Sequence, residues 1–244
     1  MKKLLIFSSL LLLTAIFFFS FSPKPKPKVI VFSKTAGYHH ASIANGIEAI
    51  QKIGTENNFE VDTTTNAALF TDKNLKQYTV IIFLSTTGNL FDTLQEQALQ
   101  RYIHRGGGIV GVHAATDCEY NWPWFGKMMG GYFESHPQQQ NANLKVIDKT
   151  HPATKDLPSE WQRFDEWYNF KNLNPDVHTL ITIDGASYKG GKNGAFHPMS
   201  WWHKFEGGCV FYTALGHTEA SYTKALFLKH LTGGILFAMG GKVK

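Results

Sequence analysis

Residues 107–117 read Gly-Gly-Ile-Val-Gly-Val-His-Ala-Ala-Thr-Asp, and this segment is the clearest indication of the fold class. Its residues 109–115 form a largely apolar run, which is typical of a strand buried in a parallel sheet. His113 stands among small residues at the end of that run, in the pattern of a tight strand-to-helix turn that carries a nucleophile at its centre. An imidazole at that centre can act as a general base or as a metal ligand, but it does not form a thioester.

The segments on either side of this stretch alternate between strand and helix patterns. Short apolar or β-branched runs predict strands, and apolar residues three or four positions apart predict amphipathic helices. The predicted strands are 29–33, 59–65, 79–84, 109–115, 144–147, 178–183 and 208–214, and the predicted helices are 41–53, 94–104 and 222–239. This order predicts an α/β fold: a doubly wound, flavodoxin-like and mostly parallel sheet with helices on both faces.

The first 28 residues differ in composition from the rest of the 244-residue chain. Residues 1–22 begin Met-Lys-Lys and continue as an almost wholly apolar run, so we interpret them as a signal peptide or an uncleaved N-terminal anchor. Residues 23–28 alternate Pro and Lys and predict a semi-rigid linker, which leaves residues 29–242 as one domain. Both interpretations of the leader predict an exported domain, either periplasmic or extracellular.

Charge and cysteine content narrow the function class. The net charge is +5, and much of it comes from lysines in the leader and the linker. The domain has no Lys/Arg stripe of the kind that nucleic-acid binding requires, so we expect no nucleic-acid partner. Cys118 and Cys209 could pair in an oxidising compartment, but two free buried thiols are the favoured alternative because the sequence does not show that the two are close.

Several polar residues follow predicted strands directly. His40 comes after the first strand, and Asp117 follows the strand that delivers His113. His217 and Glu219 follow the strand at 208–214. Because ligands of open α/β sheets bind outside the carboxyl ends of the strands, we expect one shared pocket, with His113 and His217 within about 10 Å of each other.

The turn at His113 and the later histidine resemble class I glutamine amidotransferases. In that family the centre of the turn is a cysteine, and a His and a Glu two residues apart complete a triad. His217 and Glu219 have this spacing, but His113 stands where the cysteine should be, and Cys118 lies too far along the chain to replace it. The resemblance therefore implies the amidotransferase-like fold without glutaminase activity, since the thiolate is the nucleophile of that reaction.

The sequence also resembles the ThuA-like, or trehalose-utilisation, family over nearly all of residues 29–240. The motifs that carry this resemblance lie at 35–43, 107–117, 131–137, 151–154, 165–169, 197–201 and 211–217. ThuA-like proteins are associated with trehalose and related disaccharides, alongside dehydrogenases that oxidise the sugar at C3. The resemblance implies a 3-keto-glycoside substrate, proton transfer next to its ketone followed by isomerisation or elimination, and an exported sugar oxidoreductase as a possible partner.

Roles for individual residues follow from that resemblance. His113 and His217 would be the base and the acid, and Glu219 would orient His217. Asp117 or Glu166 would be the alternative base. The expected substrate-binding residues are His40, Trp122, Trp124, His136, Tyr168, His197 and Trp201.

Three questions stay open from the sequence. Each tryptophan can be a platform for a sugar ring or part of the core. Neutral imidazoles and carboxylates could hold a divalent metal, Zn²⁺ or Mn²⁺, but no compact ligand motif is present, so no cofactor is assigned. The alternatives to an enzyme are a non-catalytic carbohydrate-binding protein and a structural partner of the oxidoreductase.

Overall fold

The computed structural model describes residues 25–240. The predicted leader at 1–22, residues 23–24 of the linker and residues 241–242 of the domain lie outside this range. Lys28, which we assigned to the linker, is instead the first residue of the first strand and pairs with Glu60. Between residues 25 and 240, no helix is long and apolar enough to cross a membrane.

Strands and helices alternate through the first half of the described chain, and strands dominate the second half. The strands are β1 (Lys28–Phe32), β2 (Glu60–Thr64), β3 (Val80–Leu84), β4 (Gly108–Val112), β5 (Tyr132–Ser135), β6 (Gln140–Val146), β7 (Glu160–Asp165), β8 (Asn169–Lys171), β9 (His178–Ile183), β10 (Pro198–Phe205) and β11 (Gly208–Thr213). The α-helices are α1 (Ile43–Glu56), α2 (Asp72–Leu75), α3 (Thr93–His104), α4 (Pro123–Met129) and α5 (Ala225–Ala238).

Within residues 25–240 the main sheet has nine strands, in the order β2-β1-β3-β4-β11-β10-β9-β6-β7. The pairings from β2 to β11 are all parallel, and they follow the doubly wound order that places its switch point between β1 and β3. All five residues of β3 and of β4 are buried, as expected for central strands covered on both faces. The predicted α/β fold with a large, mostly parallel sheet is therefore confirmed.

Helices cover both faces of the sheet at β4. A Cβ on Gly108 would meet the backbone of Ala238 in α5, whereas a Cβ on Gly111 would meet the sulfur of Met129 in α4. Residues three apart in a strand point to opposite faces, so α4 and α5 lie on opposite sides of β4. The two glycines let both helices approach the strand closely.

The sequence did not predict the antiparallel half of the sheet. Each pairing from β11 to β7 is antiparallel, so only β10 and β6 run opposite to the other seven strands. Strand β7 was missed because its residues alternate between exposed and buried, without the apolar run that marks a central strand. As a result β7 runs in the same direction as β11, and its carboxyl end lies at the same edge of the sheet as those of β1, β4 and β11.

Cys118 and Cys209 are both buried and free, so the disulfide alternative is not formed. The Cys118 thiol lies 3.2 Å from the hydroxyl oxygen of Thr86. Burial raises the pKa of this thiol well above its usual value, which disfavours the thiolate that a nucleophile needs. The absence of glutaminase activity stays a prediction.

Candidate active site at the carboxyl edge of the sheet

Four side chains from separate loops converge where β1, β4, β7 and β11 end. His40, His113, Glu166 and His217, here called the histidine–glutamate cluster, bring one nitrogen or oxygen each to within 4.8 Å of one another. His113 Nε2 lies 3.1 Å from His217 Nδ1 and 3.4 Å from Glu166 Oε2. His217 Nδ1 lies 3.1 Å from the same carboxylate oxygen.

The turn after β4 places His113 in the cluster. His113 has a φ of 52°, a left-handed conformation that is uncommon for a residue with a side chain, and it opens a short 3₁₀ helix. Its side chain is fully buried, and its Nδ1 lies 2.8 Å from the carbonyl oxygen of Ala214. A carbonyl only accepts, so Nδ1 donates, and in the neutral ring Nε2 is left as a lone pair that faces the cluster.

Asp165, the last residue of β7, holds Glu166 and His217 in place. It is fully buried and accepts hydrogen bonds from the backbone amides of Glu166, Gly216 and His217 at 3.0–3.1 Å. The guanidinium of Arg163 pairs with it at 2.8 Å. One carboxylate therefore ties together two loops that are about 50 residues apart in the sequence.

Electrostatics set the charge states of two cluster members. Burial alone would raise the pKa of Glu166, but the neighbouring His113 and His217 outweigh burial and hold that pKa well below its usual range. Burial, helped by the neighbouring His113 and His217, lowers the pKa of His40 to about 3. At neutral pH the cluster therefore contains an ionised carboxylate and an uncharged His40, whose buried Nδ1 has no hydrogen-bond partner.

A pocket of about 380 Å³ opens onto the cluster. Its walls include six of the residues that the sequence singled out: His40, Asp117, His136, Glu166, Tyr168 and His217. Asp117 accepts a hydrogen bond of 2.6 Å from the hydroxyl of Tyr120. Burial nevertheless raises the pKa of Asp117, so this carboxyl is closer to exchanging protons at neutral pH than an exposed aspartate.

Glu219 is not part of the site. It is exposed, it opens a 3₁₀ helix at Glu219–Thr223, and it lies outside the pocket walls. The carboxylate that contacts His217 is Glu166, delivered by β7 rather than by the segment that follows His217. The expected His-x-Glu pairing is therefore wrong, because local spacing does not reveal which distant strand reaches the same edge.

The structure also corrects four expected substrate-binding residues. Trp201 is fully buried, stacks on Tyr212 and donates to the carbonyl of Met129, so it belongs to the core. His197 is buried between two tyrosines and bonds to the Tyr188 hydroxyl and the Tyr168 carbonyl. Neither residue lines the pocket.

Trp122 and Trp124 stack on each other with ring centroids 5.0 Å apart. The indole of Trp124 donates to Glu206, and neither ring belongs to the pocket walls. The two rings therefore form a separate, half-buried pair.

Some pocket residues were missed by sequence reasoning. The remaining walls are formed by Tyr38, Phe133 and Gln139, and the Gln139 amide nitrogen lies 2.8 Å from His217 Nε2. No pattern marks Gln139 among its neighbouring glutamines. Asp165 did have a signal, because the alternation in β7 points Trp161, Arg163 and Asp165 to one buried face.

Comparison with known proteins agrees with this architecture. A family model described as ThuA, trehalose utilisation, matches residues 28–238. The chain belongs to the ThuA family. Membership of this family suggests a carbohydrate-related function. No curated protein matches the chain.

Solved structures share the ThuA fold. A protein described as ThuA-like from Bacteroides uniformis matches with a TM-score of 0.73 and 24% identity, over 88% of this chain and 92% of its own. Another from Parabacteroides merdae matches with a TM-score of 0.72 and 20% identity, over 91% and 92%. A cytoplasmic protein from Salmonella typhimurium LT2 matches with a TM-score of 0.64 and 12% identity, over 86% and 99%. At these identities the likeness concerns the fold alone.

Proposed function

We propose that this ThuA-family protein acts on a sugar that carries a ketone, a 3-keto-glycoside or a related disaccharide, and moves a proton on the carbon next to that ketone. The observation that supports this proposal is the pocket itself. It places Asp117, a carboxyl with a raised pKa, in one cavity with a cluster of imidazoles and an ionised carboxylate. Groups with separated proton affinities in one cleft favour acid–base chemistry.

The proposed reaction starts at the carbon between the ketone and the anomeric centre. A ketone at C3 acidifies the C2–H bond, and Asp117 takes that proton, so that the electron pair forms an enediolate. Return of the proton to another carbon isomerises the sugar. Alternatively, the electron pair expels the glycosidic oxygen from C1, which leaves as an alcohol once it is protonated.

Asp117 replaces His113 as the base in this proposal. His113 is buried and its free nitrogen faces the other cluster residues, whereas Asp117 lies on the pocket wall. His136 and His217 also lie on the wall, where they can hydrogen-bond the oxygen that becomes negative. Tyr168 and Phe133 supply the apolar wall against which a pyranose ring can pack.

The test is turnover of a methyl 3-keto-glucoside and of 3-keto-trehalose by the purified chain. Asp117→Asn should lower kcat by about 10² to 10⁴ with a normal thermal melt, because it removes a positioned proton acceptor. Asp176→Asn, a change at an exposed aspartate, is the matched control and should turn over like the wild type. Binding of both sugars without any turnover would contradict the proposal and support a non-catalytic carbohydrate-binding protein.

A further inference from the structure

In the histidine–glutamate cluster, hydrogen-bond acceptors face one another with too few donors between them. In the neutral form of the His113 ring, Nε2 carries the lone pair, because the ring's one proton is used in the hydrogen bond from Nδ1 to Ala214. That lone pair faces Glu166 Oε2 at 3.4 Å and His217 Nδ1 at 3.1 Å. His217 Nδ1 carries one proton at most and lies equally near both neighbours, so it can satisfy only one of them.

His40 adds a second, independent sign of a missing partner. Its side chain is 3% exposed, and its Nδ1 is buried without a hydrogen bond. A buried polar atom that lacks a partner is costly, and native structures satisfy nearly all of them. One of the ring nitrogens of His40 lies within 4.8 Å of the three other donor atoms, so this imidazole is within reach of a cation held among them.

The spacing of the donors fits a metal ion. Ligands about 2.0–2.1 Å from a tetrahedral centre are separated by about 3.4 Å from one another. The separations among His113, His217 and Glu166 are 3.1, 3.1 and 3.4 Å. We propose that the cluster binds one divalent transition-metal ion through His113 Nε2, His217 Nδ1 and Glu166 Oε2, with His40 as the fourth ligand.

The surroundings suit a metal centre. Imidazole and carboxylate ligands bind Zn²⁺ and Mn²⁺. Metal-binding histidines usually donate their other nitrogen to a carbonyl or a carboxylate, as His113 does to Ala214. The second carboxylate oxygen of Glu166, Oε1, lies 3.2 Å from Nδ1 of His136, which supports the carboxylate from the pocket side.

The ion would act on the contents of the pocket, because His40, Glu166 and His217 belong to the pocket walls. A metal there can polarise a ketone oxygen and stabilise the negative charge that forms on it. This role rests on the proposed function, since it requires a keto-sugar in the pocket. Metal binding does not rest on it and can be measured without a sugar.

The experiment uses the full chain, freed of metal with a chelator and titrated calorimetrically with Zn²⁺ and, separately, with Mn²⁺. The wild type should take up one equivalent of one of these ions and melt at a higher temperature with it. Glu166→Gln and His217→Ala should weaken binding by at least about 100-fold, the upper end of what loss of a supporting contact costs. His104→Ala is the matched control, because it removes the histidine of an exposed His–Glu pair elsewhere.

His40→Ala removes no hydrogen bond, so it keeps the test decisive if another variant does not fold. His40→Ala should also lower the affinity for the ion, by about 10-fold or more. Failure of the wild type to bind either ion would overturn the proposal and indicate an imidazolium–carboxylate pair instead, as would variants that bind as tightly as the wild type. An intact metal site without sugar turnover would contradict only the proposed function.

Discussion

At the scale of single residues, the site depends on Asp165 as much as on the side chains that line the pocket. Every hydrogen-bond partner of the Asp165 carboxylate is a donor: three backbone amides and the guanidinium of Arg163. Arg163 is itself buried; its guanidinium also donates to the hydroxyl of Ser221 and lies over the rings of Trp161 and Phe227. Asp165 therefore neutralises a buried cation and fixes the loop that carries His217.

Asp165→Asn should lower the free energy of unfolding by about 3 to 5 kcal/mol, the cost of breaking a buried ion pair from one side. The amide group of Asn would also point a donor at donors. Denaturant unfolding measures this effect. Asp184→Asn is the control, because Asp184 also caps a backbone amide but pairs with Lys145 at the surface, where an ion pair contributes about 1 kcal/mol or less. Equal losses in the two variants would contradict the role assigned to Asp165.

At the scale of elements, β4 is the strand on which both helical layers meet. Gly108 faces α5 and Gly111 faces α4, and the strand ends in the strained turn at His113. Any displacement of β4 therefore moves His113 relative to His217 and Glu166.

Gly108→Ala should destabilise the fold by about 1 to 3 kcal/mol or more, because the added methyl group meets the backbone of Ala238, which cannot rotate away. Thermal melts and denaturant unfolding report the change. Gly185→Ala is the matched control, since nothing lies within 4 Å of its added Cβ and its φ is ordinary. A Gly108→Ala protein as stable as this control would show that α5 is packed less tightly against β4 than the structure indicates.

The strands also explain which parts of the fold and the site could be predicted from the sequence. The strands β1, β3, β4 and β11 were predictable because each is an apolar run, and their order fixed the edge at which His40, His113 and His217 meet. Glu166 was only one candidate among several, because its position depends on β7. This strand joins the sheet through three antiparallel pairings beyond β10. Which edge a strand joins is set by long-range pairing, and that information is absent from spacing along the chain.

At the scale of the whole molecule, the ThuA fold buries several histidines away from the site in neutral form. Burial lowers the pKa of His151 to about 4 and that of His230 to about 3. His230 bonds to the carbonyl of Ala153 and to the hydroxyl of Thr213, so it links α5 to the sheet. Because the unfolded chain binds these protons near pH 6.5 and the folded chain does not, acid favours unfolding.

The protein should therefore lose stability as the pH falls from about 6.5 towards 4, by about 1.4 kcal/mol per pH unit for each such histidine. His230→Gln should lower the free energy of unfolding at neutral pH. It should also reduce the loss of that free energy in acid by about 1.4 kcal/mol per pH unit, the contribution of one proton. Urea unfolding of both proteins at several pH values, in the absence of added metal, measures the slopes. Parallel slopes would mean that His230 is not a source of the acid sensitivity.

The proposed function requires the pocket to move a proton on the carbon next to a sugar ketone. Proton NMR of a methyl 3-keto-glucoside in D₂O tests it most directly, because exchange at C2 is visible whether the sugar then isomerises or eliminates. The wild type should replace the C2 proton by deuterium, or consume the sugar, far faster than buffer alone, and Asp117→Asn should be slower by about 10² or more. Exchange and consumption at the buffer rate with the wild type, at a sugar concentration that saturates binding, would contradict the proposed proton transfer.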